Sequence, residues 1–178
     1  MHRMSGQRGE GPVRPGADFA QKVAAFPGPV VIASAVPEGT RVQWGGEDAD
    51  GHPWSLHVAY VAGSRKLLKV RTVRGTLDWT PVIETIEDFG TMMMDLGHDG
   101  EPELPVTVTV DGLPVTGIRV DLPDISGVHL KWQGQLVFCF GDRSVIDTME
   151  LRTGTLADFA EFQAAFAAYL AECRAAQS

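Results

Sequence analysis

Only two cysteines occur in 178 residues, too few for a disulfide framework. Cys139 lies between Phe138 and Phe140, and Cys173 falls on the apolar stripe of the last helical pattern, so both read as buried thiols. No apolar run approaches the ~20 residues that a bilayer-spanning helix requires; the longest, Pro29 to Val36, stops at Pro37. The opening Met1 to Gly16 carries arginines, glycines and prolines but no hydrophobic stretch of signal-peptide length. A cytoplasmic protein without membrane contact is the expectation. Basic residues are also few: 15 Lys and Arg stand against 23 Asp and Glu, a formal charge of −8. Such a chain repels a phosphate backbone, which argues against a dedicated nucleic-acid binder.

Motifs for chemistry are scarce as well. The five histidines, at 2, 52, 57, 98 and 129, show no His-x-x-x-His or His-x-Glu spacing, and no Cys-x-x-Cys accompanies them. No metal and no cofactor is therefore expected. Two acidic stretches resemble calcium loops only in part. Asp95, Asp99 and Gly100 match three template positions, but Gly97 and Val106 stand where further ligands belong. Gly46 to His57 fails likewise at both ends and reads as a hairpin loop. Ser64 and Ser144 lack the flanking glycines of a nucleophile elbow. There is no dinucleotide fingerprint and no phosphate loop.

What is present is a core. At 44% hydrophobic and 21% charged, the composition is that of an ordinary folded domain, large enough to bury its own interior. Residues 1–16 lack any period and read as a disordered tail. Residues 17–178 read as a single α+β domain, with 17–80 and 81–178 as two halves of similar element order. Phe19, Val23 and Phe26 recur at helical spacing up to Pro27. Four strands follow: Val30–Val36, Thr40–Trp44, Trp54–Ala62 and Arg65–Val73, read as an antiparallel meander, with Gly45 to Pro53 as a turn. In the third, Trp54, Leu56, Val58 and Tyr60 point one way and His57 the other.

Pro81 opens a helix whose stripe is Val82, Ile86, Phe89, Met93 and Leu96. Asp111-Gly112 is a hairpin turn between Val106–Val110 and Leu113–Leu122. A second hairpin joins Val128–Trp132 to Leu136–Phe140 through Gln133-Gly134. Arg143 to Arg152 fits a strand or a packed loop. Thr155 and Asp158 form a capping-box pair for a last helix with Phe159, Phe162, Phe166, Leu170 and Cys173 on its stripe. The expected fold is thus a mostly antiparallel sheet of eight or so strands in two meander halves, with helices on one face, in the order α-β4-α-β4/5-α.

Charge is uneven along the chain. Residues 1–75 carry a balance of +4 and residues 76–178 a balance of −12. Arg65, Lys66, Lys69, Arg71 and Arg74 fall within ten residues free of acids, and alternation puts Lys69 and Arg71 on one face. Arg65, Lys69, Arg71 and His57 are the candidate binding residues, suited to an acidic partner or anionic ligand. The competing reading is a solvated strand, or pairing with Asp78, Glu84, Glu87 and Asp88 downstream. Because polar residues converge on no catalytic set, the expected function is a non-catalytic binding or adaptor protein, immunity-like or chaperone-like, whose partner is another protein. Homodimerisation through the last helix or a sheet edge is a further expectation. The alternative is a small-molecule binder or enzyme with a pocket between the sheet and the Met-rich helix, where His57, His129 or Arg119 would have to converge.

Overall fold

The computed structural model describes residues 19–49, 52–74 and 103–177. The tail at 1–16, the helix expected at 81–96 and most of the acidic loop before Glu103 lie outside these. Among the described residues, nine strands form one sheet in the order β1-β9-β5-β6-β7-β8-β4-β3-β2. The strands are β1 Val31–Ala33, β2 Arg41–Ala49, β3 His52–Ala62, β4 Arg65–Arg74, β5 Leu104–Val110, β6 Leu113–Asp121, β7 Ile125–Trp132, β8 Gln135–Asp142 and β9 Glu150–Thr153. Helices are α1 Phe19–Ala25, α2 Arg143–Asp147 and α3 Leu156–Ala175. All pairings are antiparallel except β5 with β9, so the α+β, mainly antiparallel expectation holds and the sheet is mixed.

The sheet curls. On one side β1 pairs with β9. From its other side Val31 N–H donates to Thr72 Oγ1 of β4 and Ala33 N–H donates to the Tyr60 hydroxyl of β3, each at 3.0 Å. One sheet edge is thereby folded across the inside of the third and second strands from the opposite end. Side-chain oxygens replace the missing ladder and satisfy two buried donors. The concave side holds the main core, including Leu56, Val58, Val70, Val128, Val137 and Leu151. Aromatic rings from α1, β2 and α3 complete this core: Phe19 stacks on Trp44 at 4.3 Å and meets Phe159 edge-on at 5.4 Å.

Several expectations need correction. The first strand is three residues long and leaves the expected meander to pair with β9. Gly45 and Gly46 are strand residues in β2, not a turn. Their side-chain-free faces admit neighbours, since a Cβ at Gly45 would lie 2.7 Å from the His57 ring and one at Gly46 2.7 Å from Leu56 Cδ2. A register shift between Glu47 and Asp48 turns Trp54 to the convex side, away from Leu56, Val58 and Tyr60. Arg143–Arg152 is neither strand nor loop throughout, but the short helix α2 followed by β9.

The turns behave as their chemistry dictates. Asp111 and Gly112 have φ of 50° and 76°, and Gln133 and Gly134 have 46° and 81°, the pair of left-handed residues a two-residue hairpin needs. The second turn sets Trp132 opposite Gln135. Val128, Leu130 and Trp132 therefore face the concave core, whereas Leu136, Phe138 and Phe140 lie on the convex side, where Leu136 and Phe138 are also buried. This sheet is apolar on both sides at β8.

The α3 capping box forms as expected, with Thr155 as N-cap. Arg152 of β9 holds Asp158 by two hydrogen bonds of 2.6 and 2.7 Å, tying the helix start to the sheet. These bonds hold the Asp158 carboxyl well below the usual carboxylate range. Of the α3 stripe only Phe159 is buried.

Candidate functional site

The convex face of the sheet carries the candidate site. Pairing registers place Gly45, His57, Arg71, Phe138, His129 and Ile118 in one transverse row over β2, β3, β4, β8, β7 and β6. Directly opposed residues share a face, so all six point outward. Lys69 stands one pleat along β4 from Arg71, opposite Ala59 and Phe140. Behind the row, Val73, Leu136 and Phe138 form a second apolar cluster with Trp54 packed against it.

Arg71 is held from three directions. Its Nε donates to Ser55 Oγ at 2.7 Å, its Nη2 pairs with Glu47 at 2.9 Å, and its guanidinium lies 5.5 Å from the Trp54 ring centre. Such a braced fork presents a cation at fixed geometry, which loses little entropy on meeting a carboxylate. His57 lies over Gly45 and opposite Arg71. Burial, with Lys69, Arg71 and Lys66 beside it, lowers its pKa to about 4, so the imidazole is neutral at pH 7. Burial and the neighbouring cations Lys66 and Arg71 also lower the pKa of Lys69.

Of the four candidate residues, His57, Lys69 and Arg71 come together on this face. Arg65 does not join them: it sits at the β3–β4 hairpin end and pairs with Asp142 at 2.7 Å. The acids Asp78, Glu84, Glu87 and Asp88 lie outside the described residues. His57, His129 and Arg119 do not converge. Arg119 opposes Val128 and therefore faces the concave side, where it pairs with Asp121 at 2.6 Å and Asp147 at 2.7 Å. His57 and His129 share the outer row but are three strand spacings apart, about 14 Å.

Next to Arg71 the outer row opens into a shallow groove of about 340 Å³ between β6, β7 and β8, floored by Ile118, Leu136 and Phe138 and flanked by His129 and Lys131. The His129 and Phe138 rings run nearly parallel, 12° apart, with centres at 6.2 Å. Sequence reading overlooked Phe138, Leu136 and Trp54 as site residues. Their signal was available in the two-residue Gln133-Gly134 turn, which fixes the register and hence the face of Leu136 and Phe138.

Among the described residues no three of His, Cys, Asp and Glu gather as a metal would require. Cys139 is fully buried in the core, and burial pushes its thiol up to about 12, a setting for packing and not for attack. Cys173, expected to be buried, is half-exposed. Among the described residues no helix is long and apolar enough to cross a membrane.

No protein family, curated protein or solved structure matches this chain. The convex face joins a fixed arginine, a lysine of lowered pKa and a neutral histidine to an apolar cluster. The chemistry of such a face suits carboxylates presented beside hydrophobic side chains.

Proposed function

We propose that this chain is a non-catalytic cytoplasmic binding or adaptor protein, immunity-like or chaperone-like, that engages another protein through the convex face of β3, β4 and β8. The observation that carries this reading is the braced Arg71 beside Lys69, set against the apolar cluster of Trp54, Val73, Leu136 and Phe138. A matching partner offers acidic side chains around one or two apolar anchors. The cations supply orientation and rate of encounter; Val73, Leu136 and Phe138 are already buried beneath them, so the half-buried Trp54 is the apolar surface of the cluster left to a partner. The acidic balance of the chain as a whole gives no support to nucleic acid as the partner.

Charge reversal tests it. Wild type is expected to retain a protein partner from the native cell, and Lys69→Glu/Arg71→Glu to lose at least about tenfold in affinity for it, through like-charge repulsion. Arg174→Glu, in the last turn of α3, is the control and should leave binding intact. Urea unfolding of each variant confirms that the fold survives. Partner binding untouched by the double substitution would overturn the proposal.

The outer groove favours a second reading, a small-molecule binder that takes a compact apolar anion between Phe138, His129 and Lys131. The Met-rich helix expected to line a pocket lies outside the described residues. Saturable uptake of such an anion, abolished by filling the groove with Ile118→Trp, would favour this reading over the protein partner.

A further inference from the structure

The two ends of the sheet are treated differently. At one end β1 is three residues long, and its outward N–H groups are closed off by Thr72 and Tyr60. At the other end β2 runs for nine residues, and among the described residues no strand pairs with its far side. The register shift and the acids blunt the end of β2, but the regular run before it carries no proline or lysine and is a template for another strand.

We propose that a second copy of this chain pairs with β2, the two edges meeting antiparallel about a twofold axis. This pairing uses the edge of β2 and not the convex face, although one residue, Glu47, belongs to both because it also braces Arg71. In a twofold antiparallel pair the central residue opposes its own copy. The regular run of β2 spans Arg41 to Glu47, ending at the register shift before Asp48, and its centre is Trp44. Pairing about Trp44 sets Arg41 opposite Glu47 of the partner subunit, and Glu47 opposite Arg41 of the partner subunit. The strand is thus complementary in charge to itself; both side chains are exposed, and the partner's charges would add to the contacts they make within the chain, Glu47 with Arg71 and Arg41 with Gly63 O.

Two further observations fall on the same side of the molecule. Trp44 has a buried Nε1 with no hydrogen-bond partner among the described residues. The helix α3, which packs on α1 and β2, keeps Phe162, Phe166, Tyr169 and Leu170 only half-buried along its stripe. Arg41 lies at the rim between strand and helix, its guanidinium 4.2 Å from the Tyr169 ring centre. Joining two β2 edges brings these half-buried faces together and continues the sheet from one copy into the next.

Sedimentation velocity from micromolar to several hundred micromolar protein tests the pairing. Wild type is expected to show a reversible monomer–dimer equilibrium. Arg41→Glu and Glu47→Arg each place like charges opposite one another at two symmetric positions and are expected to weaken the dimer on the order of tenfold. In an equimolar mixture of the two variants, one copy carries glutamate at both positions and the other carries arginine at both. Opposite charges then meet at each symmetric contact, and wild-type affinity is expected to return as a heterodimer. Circular dichroism of each variant checks that the fold is kept. A chain monomeric at every concentration overturns the proposal, as does a dimer indifferent to both substitutions or a mixture that fails to recover.

Discussion

Phe159→Ala is expected to destabilise the fold by ~3–5 kcal/mol, the range for removing a large aromatic side chain from a packed interior. Phe159 is 1% exposed and is the only fully buried member of the α3 stripe. It meets Phe19 and Phe162 edge-on, at 5.4 and 6.1 Å, and its ring presses on Gly154, where any Cβ would collide with it. Through Phe19 it is coupled to Trp44 on β2, so one ring joins the last helix, the first helix and the edge strand. Truncation leaves a void that the surrounding sheet cannot collapse into, because its backbone is fixed by ladder hydrogen bonds. Phe166→Ala, at a half-buried position, is expected to cost only about 1 kcal/mol. Denaturant midpoints at constant slope measure both. Equal losses for the two would mean that α3 is not anchored at its first turn.

Thr72→Val and Tyr60→Phe are expected to cost ~1–3 kcal/mol each, although neither changes side-chain volume much. Each removes the acceptor of a buried β1 amide: Val31 N–H in the first case, Ala33 N–H in the second. The loss is the full penalty of a desolvated, unpaired donor and not the smaller net worth of one hydrogen bond. Both substitutions loosen the same strand, so the double variant is expected to cost less than the sum of the two. Amide exchange at Val31 and Ala33 should accelerate in each variant, while exchange in β7 follows only the global stability. Thr72→Ser keeps the oxygen and should retain slow exchange at Val31. Unchanged stability in Thr72→Val would show that the sheet does not curl over β1.

Local signals made much of the sheet legible in the sequence. Alternation and two left-handed dipeptides marked out β5 to β8, and the capping pair Thr155 and Asp158 marked the start of α3. What escaped was non-local or disguised. The pairing of β1 with β9 joins segments near opposite ends of the chain and has no local signature. Gly45 and Gly46 read as a turn by composition, although they serve to let His57 and Leu56 approach the backbone of β2. The bulge that redirects Trp54 shifts the alternation by one residue, and a period of two cannot reveal its own interruption.

The candidate site was half visible. Lys69 and Arg71 share a face by simple alternation, and His57 opposes the apolar side of its strand. Their assembly with Phe138 depends on β4 lying beside β8, a pairing between segments far apart in the chain that spacing alone does not give.

The proposed binding face requires His57, Lys69 and Arg71 to stand together, desolvated, on the convex side, and titration of the His57 ring by NMR tests this most directly. The predicted midpoint is about 4, far below the ordinary 6.5, and Lys69→Gln should raise it by removing one neighbouring cation. A midpoint near 6.5 that ignores Lys69→Gln would contradict that grouping, and with it the binding face.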